Sequence, residues 1–175
     1  MSQTTRDERT VPDLVRELGE ALRAVDWKMA VAESCTGGGL GAAITDQPGG
    51  SMFFLGGVVA YDNRLKHTLL GVTEETLAEF GAVSLHVAER MAAGCRLRLD
   101  ADVAVSITGI AGPGGGSADK PVGLVFIGVS TAAATAAQRF VFSGDRADVR
   151  RQAIQAALHL TLDAVRHLDG AGHSR

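Results

Sequence analysis

A chain of 175 residues is long enough for one domain with a sizeable core and short for two. Hydrophobic residues at 46 % and charged residues at 21 % exclude a disordered or fibrous chain, and a formal charge of −3 excludes a polybasic coat for nucleic acid or anionic membrane. No apolar run approaches the ~20 residues of a membrane span, and the opening MSQTTRDERT is polar. Cys35 and Cys95 form no CxxC pair and the five histidines are scattered, so neither a metal site nor a disulfide framework is expected. The expectation is a cytoplasmic protein with no membrane or nucleic-acid partner and no metal.

Val11, Leu14, Val15, Leu18, Leu22 and Val25 follow helical spacing, with Pro12 suited to the first turn. Lys28 to Ala32 reads as a buried strand, Glu33 to Thr36 as a polar break, and Gly38 to Thr45 as a small-residue helix. Phe53 to Tyr61 reads as a second strand in which Gly56 and Gly57 mark a bulge or a close approach. Thr73 caps a helix carrying Glu74 and Glu75 at its positive end, Gly81 stops it, and another from Ser84 buries Val87, Ala88, Met91 and Cys95. Val103 to Thr108, Val122 to Thr131 and Gln138 to Phe142 complete the strands, the last two joined by an Ala-rich turn. A final helix opens at Asp145 and Asp148 and buries Ile154, Leu158, Thr161, Val165 and Leu168, leaving tails at 1–10 and 170–175 around a single domain, 11–169. Early strand–helix alternation predicts parallel pairing and the late short turn an antiparallel pair, which makes a three-layer α/β/α sandwich with a mixed β-sheet.

Ser34 falls where a buried strand gives way to a helix, a place that exposes a hydroxyl and directs backbone N–H groups above it. Cys35, Thr36, Gly37 and Gly38 are then candidate donors to an oxyanion, while the plainer reading makes Ser34 or Thr36 an N-cap. A nucleophilic serine needs a base, and only Lys28, Lys66 and Lys120 among the basic residues are not arginine. Lys66 follows the second strand, so parallel pairing brings it beside Ser34, with Tyr61 as relay; a solvated helix lysine, or His67 as the base, are the other readings. Cys35 is expected in the core beneath the turn. Gly109 to Ser117 is a glycine loop at the ligand edge without a P-loop ending, and Arg146 opposes its helix dipole unless it grips an anion. Gly37-x-Gly39-x-x-Ala42 with Asp62 matches a dinucleotide fingerprint, so a dinucleotide-dependent enzyme or a non-catalytic nucleotide-binding module is the alternative.

From Leu14 to Leu168 the chain resembles the C-terminal domain of the competence and damage-inducible CinA family, whose stand-alone members include nicotinamide mononucleotide deamidases. The resemblance rests on Ala32-Glu-Ser-Cys-Thr-Gly-Gly38, Tyr61-x-Asn63-x-x-Lys66, Gly81-Ala-Val-Ser84, Thr108-Gly-Ile-Ala-Gly-Pro113 with Lys120-Pro-Val-Gly123, and Gly144-Asp-Arg-x-x-Val-Arg150. It implies hydrolysis of a mononucleotide carboxamide to the acid and ammonia without a cofactor, with catalysis by Ser34, Lys66 and Tyr61. It also implies substrate binding by Asn63, Thr108, Gly109, Gly112, Gly114, Gly115, Gly116, Arg146 and Arg150. A homo-oligomer is expected. Asp62 and Arg64 stand where the family commonly has serine and glutamate, and both put charge beside Lys66.

Overall fold

The structure, a computed structural model, describes residues 9–172, with side chains through His167. Thr10 opens α1 (Val11–Ala24): its hydroxyl accepts from Asp13 N while the Asp13 carboxylate accepts from the Thr10 amide, and Pro12 occupies the first turn. The stripe Leu14, Val15, Leu18 and Leu22 is buried as its spacing requires. After β1 (Met29–Glu33) the chain turns through 34–38 into α2 (Gly39–Thr45), passes a 3-10 turn at Gly50–Met52 and returns as β2 (Phe54–Val59). Three helices follow: α3 (Asn63–Leu70), α4 (Glu74–Phe80) and α5 (Leu85–Arg98). Then come β3 (Val103–Gly109), β4 (Leu124–Thr131), β5 (Thr135–Val141) and the long α6 (Arg146–Gly172).

The five strands lie in the order β2-β1-β3-β4-β5, with β1 parallel to both neighbours and the last two pairings antiparallel. This is the expected three-layer sandwich with a mixed sheet. Met29, Val31, Val103, Val105 and Ile107 pack with α1 and α6 in the larger core, whereas Ala30, Ala32 and Ala104 face Leu70 of α3 and Val87, Met91 and Cys95 of α5. From β1 the chain goes to one side for β2 and to the other for β3. The C-terminal end of β1 is therefore the switch point at which such sheets open a crevice.

Several elements depart from their expected limits. α3 is a helix that the apolar spacing between Tyr61 and Thr73 does not predict; the Asp62 side chain caps its start, and Gly71, at φ 71°, ends it in a left-handed turn. β5 begins at Thr135, three residues ahead of Gln138, because pairing with β4 overrides the weak strand preference of Ala136 and Ala137. The register slip in β2 falls between its Phe54 and Gly56 pairings, where Gly56 has φ 134°. In α6 Ile154 is only half-buried, and Val149, Ala153 and Ala157 join Leu158, Thr161 and Val165 in the buried stripe. α6 continues to Gly172, into the stretch read as a tail; the side chain of Leu168 and residues 1–8 and 173–175 lie outside the described residues. Among the described residues no helix is long and apolar enough to cross a membrane.

Candidate active site

Alternation along β1 decides which way each side chain faces. Met29, Val31 and, past the strand end, Cys35 belong to the α1–α6 core, and Ala30 and Ala32 to the opposite one. Continuing that alternation puts Ser34 on the α3–α5 side. Ser34 is 8 % exposed, and its amide completes the ladder to Ile107 O at 2.9 Å. Its hydroxyl bonds to no other described residue.

Lys66, on α3, reaches back over the end of β2 and is 1 % exposed. Its Nζ donates to Ala60 O at 2.9 Å and Tyr61 O at 3.0 Å. Ala60 N in turn donates to Glu33 O at 2.8 Å, so the residue whose carbonyl holds Nζ continues the β2–β1 pairing one step past the end of β2, alongside the Ser34 end of β1. Burial pulls the Lys66 pKa below the ordinary lysine value, opposed by the Asp62 carboxylate and then by Cys35. A lysine buried to this extent and bonded to two carbonyls is not the solvated helix lysine of the plainer reading. His67 is exposed, with Nδ1 at 2.8 Å from Val72 O, and has no part in this arrangement.

The turn after Ser34 has fewer amides to offer than its glycines suggest. Gly37 N donates to Ser34 O at 3.0 Å and Gly38 N to Glu33 Oε2 at 3.1 Å, so neither is available to an oxyanion. Cys35 and Thr36 keep amides with no partner from another residue. The Cys35 thiol is buried and pushed up to about 11, which keeps it protonated at neutral pH. Leu40 N and Gly41 N donate to the same Glu33 carboxylate at 3.0 and 2.8 Å. That carboxylate fills the helix end where a dinucleotide would place its pyrophosphate, and Asp62 is used in capping α3, so the dinucleotide fingerprint has no site here.

Residues from distant parts of the chain close the mouth. Arg146 donates from NH1 to Gly112 O at 2.8 Å and from NH2 to the Tyr61 hydroxyl at 3.3 Å, joining α6, the glycine loop and the end of β2. Tyr61 meets Lys66 only through its carbonyl, and its ring is exposed at the rim. Arg150 donates from NH2 to Thr36 O at 2.8 Å. Among the described residues, Thr36 Oγ1 and Arg150 Nε are the buried side-chain polar atoms without a partner. Unpaired buried donors are costly in a fold alone and useful where a ligand completes them. A cleft of about 640 Å³, within the range of small-molecule sites, runs along Ala111, Pro113, Val122, Arg146 and Arg150. A second, apolar cavity of about 420 Å³ between the β4–β5 hairpin and α6 lies at the far end of the sheet, since Thr131 pairs with Val103.

The other expected contacts divide. Asn63 is exposed in the first turn of α3, Gly114 has open space around it and Gly115 takes φ 85°, all compatible with a ligand at the edge. Thr108 is buried with its hydroxyl on Ala82 O at 2.8 Å, which withdraws it from substrate. Gly109, Gly112 and Gly116 serve close packing: a Cβ would come within 2.7 Å of Leu124 O, 2.5 Å of Val122 Cγ1 and 2.8 Å of Val122 N respectively. The α6 N-terminus is capped by its own acids, Asp145 Oδ1 accepting from Asp148 N at 2.9 Å and Asp148 Oδ2 from Asp145 N at 3.2 Å. Its amides are therefore a weaker anion site than expected. Lys120 donates to Phe80 O at 2.8 Å. Glu33 and the Thr36–Arg150 contact went unread in the sequence; the one available signal was a glutamate ahead of a glycine-rich helix that has no capping side chain of its own.

A strand-end serine and a buried lysine, both near the switch point of a small α/β sandwich, are the two side-chain types that a serine–lysine acyl-transfer site requires. The chain belongs to the CinA C-terminal domain family, which matches residues 12–165. It is 50 % identical over 158 residues to the nicotinamide-nucleotide amidohydrolase PncC of Enterobacter agglomerans, covering 89 % of this chain and 95 % of that protein. A CinA-like protein of Gloeothece citriformis is 55 % identical over 124 residues, 71 % of this chain and 29 % of that longer protein. Thus the chain spans about three-tenths of the CinA-like relative and nearly all of the amidohydrolase. In crystal structures the competence/damage-inducible protein CihA of Agrobacterium tumefaciens superposes with TM-score 0.86 at 38 % identity, over 89 % of this chain and 95 % of that one. The competence or damage-inducible protein of Enterobacter asburiae does so with TM-score 0.87 at 34 % identity, over 90 % and 99 %.

Proposed function

We propose that this chain is a nicotinamide-nucleotide amidohydrolase that converts nicotinamide mononucleotide to nicotinic acid mononucleotide and ammonia. The near full-length likeness to a protein of that name supports the activity. The observation that carries the mechanism is the buried Lys66 amine, held by the Ala60 and Tyr61 carbonyls beside the Ser34 end of β1.

Ser34 Oγ forms a bond to the carboxamide carbon as its proton passes to the Lys66 lone pair. The carbonyl oxygen takes up negative charge facing the Cys35 and Thr36 amides. As the C–N bond breaks, Lys66 returns its proton to the departing nitrogen, ammonia leaves, and an ester to Ser34 remains. Water, giving a proton to the same amine, attacks this ester; as its C–O bond breaks Lys66 returns that proton to Ser34 Oγ, releasing the acid and the free enzyme. Tyr61 and Arg146 hold the rim together, and Arg146 and Arg150, both lining the cleft, are the cationic groups for the mononucleotide phosphate. The setting is cytoplasmic, supported by two free thiols, and half-exposed Leu55 and Val59 on edge strand β2 support association of copies, which light scattering measures.

Ammonia release from nicotinamide mononucleotide by purified protein is the direct test, run beside Ser34→Ala and with a chelator. Activity in the wild type, unaffected by chelator and abolished in the variant, is the expected outcome. Full activity in Ser34→Ala would remove the serine from the mechanism.

A further inference from the structure

Glu33 is the last residue of β1, bonded in the ladder on both sides, and is 1 % exposed. A buried carboxylate is costly unless charge-assisted hydrogen bonds satisfy it. Here three amides do so, Gly38 N at 3.1 Å, Leu40 N at 3.0 Å and Gly41 N at 2.8 Å. The helix it caps is only seven residues long, and its own N-cap, Gly38 at φ 94°, has no side chain to offer. One rigid residue thus ties the end of the central strand to the start of α2, and Ser34, Cys35 and Thr36 lie in the stretch between.

The same bonds ration the donors. Gly37 N and Gly39 N are engaged by Ser34 O at 3.0 Å and Thr36 O at 3.1 Å, and Glu33 takes Gly38, Leu40 and Gly41. Every amide from Gly37 to Gly41 is therefore occupied, and the two in this turn with no partner on another residue are Cys35 N and Thr36 N. Release of the carboxylate would free three competing donors and let the turn rotate.

We propose that Glu33 is a positioning residue for the reaction: by bonding the Gly38, Leu40 and Gly41 amides it holds the 34–38 turn so that the Ser34 hydroxyl and the Cys35 and Thr36 amides converge on one carbonyl. The role rests on the amidohydrolase reading. It acts through the turn, since Glu33 faces α2 while Ser34 faces α3, and Glu33 touches no reacting atom.

Glu33→Gln keeps the shape, removes the charge and turns an NH2 group toward a backbone N–H. Three quantities are measured on it: kcat and KM for nicotinamide mononucleotide, the rate at which a fluorophosphonate labels Ser34, and the pH profile of kcat. The expected result is a fall of about tenfold or more in both kcat and labelling rate, KM within about threefold, and an unmoved acid limb, since Lys66 is untouched. In Glu33→Ala, millimolar formate should restore a measurable part of the lost rate by reoccupying the carboxylate position, with chloride at equal ionic strength inert. If Glu33→Gln melts lower yet each labelled site turns over and reacts with the probe as fast as wild type, the carboxylate is a cap for α2 only and the positioning role is overturned. A wild type labelled at Ser34 but inactive on the nucleotide overturns the substrate assignment while the labelling rates still test Glu33; a wild type neither active nor labelled overturns the serine mechanism and the positioning role together.

Discussion

The two faces of the sheet around β1 are built from side chains of different size. Toward α1 and α6, β1 and β3 present Met29, Val31, Val103, Val105 and Ile107; toward α3 and α5 they present Ala30, Ala32, Ala104 and Ser106. Each large side chain buried on the first face contributes about 1.5–3 kcal/mol, and together they stabilise the domain. Small side chains on the second face let backbone approach backbone. A Cβ on Gly94 of α5 would collide with Leu70 O at the end of α3, one on Gly128 would lie 2.5 Å from Ala88 O, and Ser106 Oγ donates to that same carbonyl at 2.6 Å. The thin face brings α3 so close that the Lys66 amine lies against the strand ends rather than in solvent. The bulky packing is concentrated on one side of β1, and Lys66, the proposed base, is buried on the other.

Lys66→Met breaks the chemical side most directly. Ammonia release should fall by roughly 10³-fold or more while the circular dichroism spectrum stays that of a folded protein. Met29→Ala attacks the thick face and should lower unfolding free energy by about 2–5 kcal/mol in urea titrations, with kcat of the folded protein little altered. Its counterpart Ala32→Val overfills the thin face. Its stability loss, about 1–3 kcal/mol, should be smaller, yet its loss of kcat larger, because α3 is pushed from the strand ends. Equal kcat losses in the two variants would erase the division of labour.

Arg146→Ala tests the rim. With the Arg146 contact removed, kcat/KM for nicotinamide mononucleotide should fall roughly tenfold to a hundredfold, and that for the dephosphorylated riboside much less. Equal losses on both substrates would move the phosphate contact to Arg150.

A smaller effect lies in the pH dependence of stability. Because the folded pKa of Lys66 lies below the value of 10.5 that the unfolded chain resembles, the unfolded state binds more protons between the two values. Stability from this group therefore rises with pH through that window, and is at its lowest below the folded pKa, where a charged amine must be buried. The difference in unfolding free energy between wild type and Lys66→Met should shift toward wild type as pH climbs to 10.5; a flat difference would place the amine in solvent. The smallest effect expected is none: iodoacetamide at pH 8 should leave turnover unchanged, because the Cys35 thiol, pushed up to about 11 by burial, stays protonated and faces the thick side.

Much of this division is legible in the chain itself. The Met-Ala-Val-Ala alternation of 29–32 already separates a bulky face from a thin one, and a serine following in phase with the alanines points to the thin side. The scarcity of lysine singles out Lys66. Other features are written across distances that no local pattern reaches. α3 was missed because the eight residues of Asn63–Leu70 mix polar and apolar positions, and the helix is held by its caps and by packing on α5. Thr108 and three of the loop glycines looked like ligand contacts because close packing and ligand approach favour the same small residues.

Alternation, capping residues and apolar spacing determined by themselves the α/β class, most of the helices and the mixed sheet, since these depend on neighbours within a few positions, and they raised Ser34 and Lys66 as candidates. Only the tertiary structure decided that Lys66 is buried on the carbonyls of Ala60 and Tyr61, that Glu33 takes the amides of the following turn, and that Arg146 and Arg150 reach Gly112 and Thr36 from α6. A lysine's pKa and a carboxylate's partners depend on which groups surround them in space. That is settled when strands from distant parts of the chain pair and the helices between them are pressed onto one face or the other.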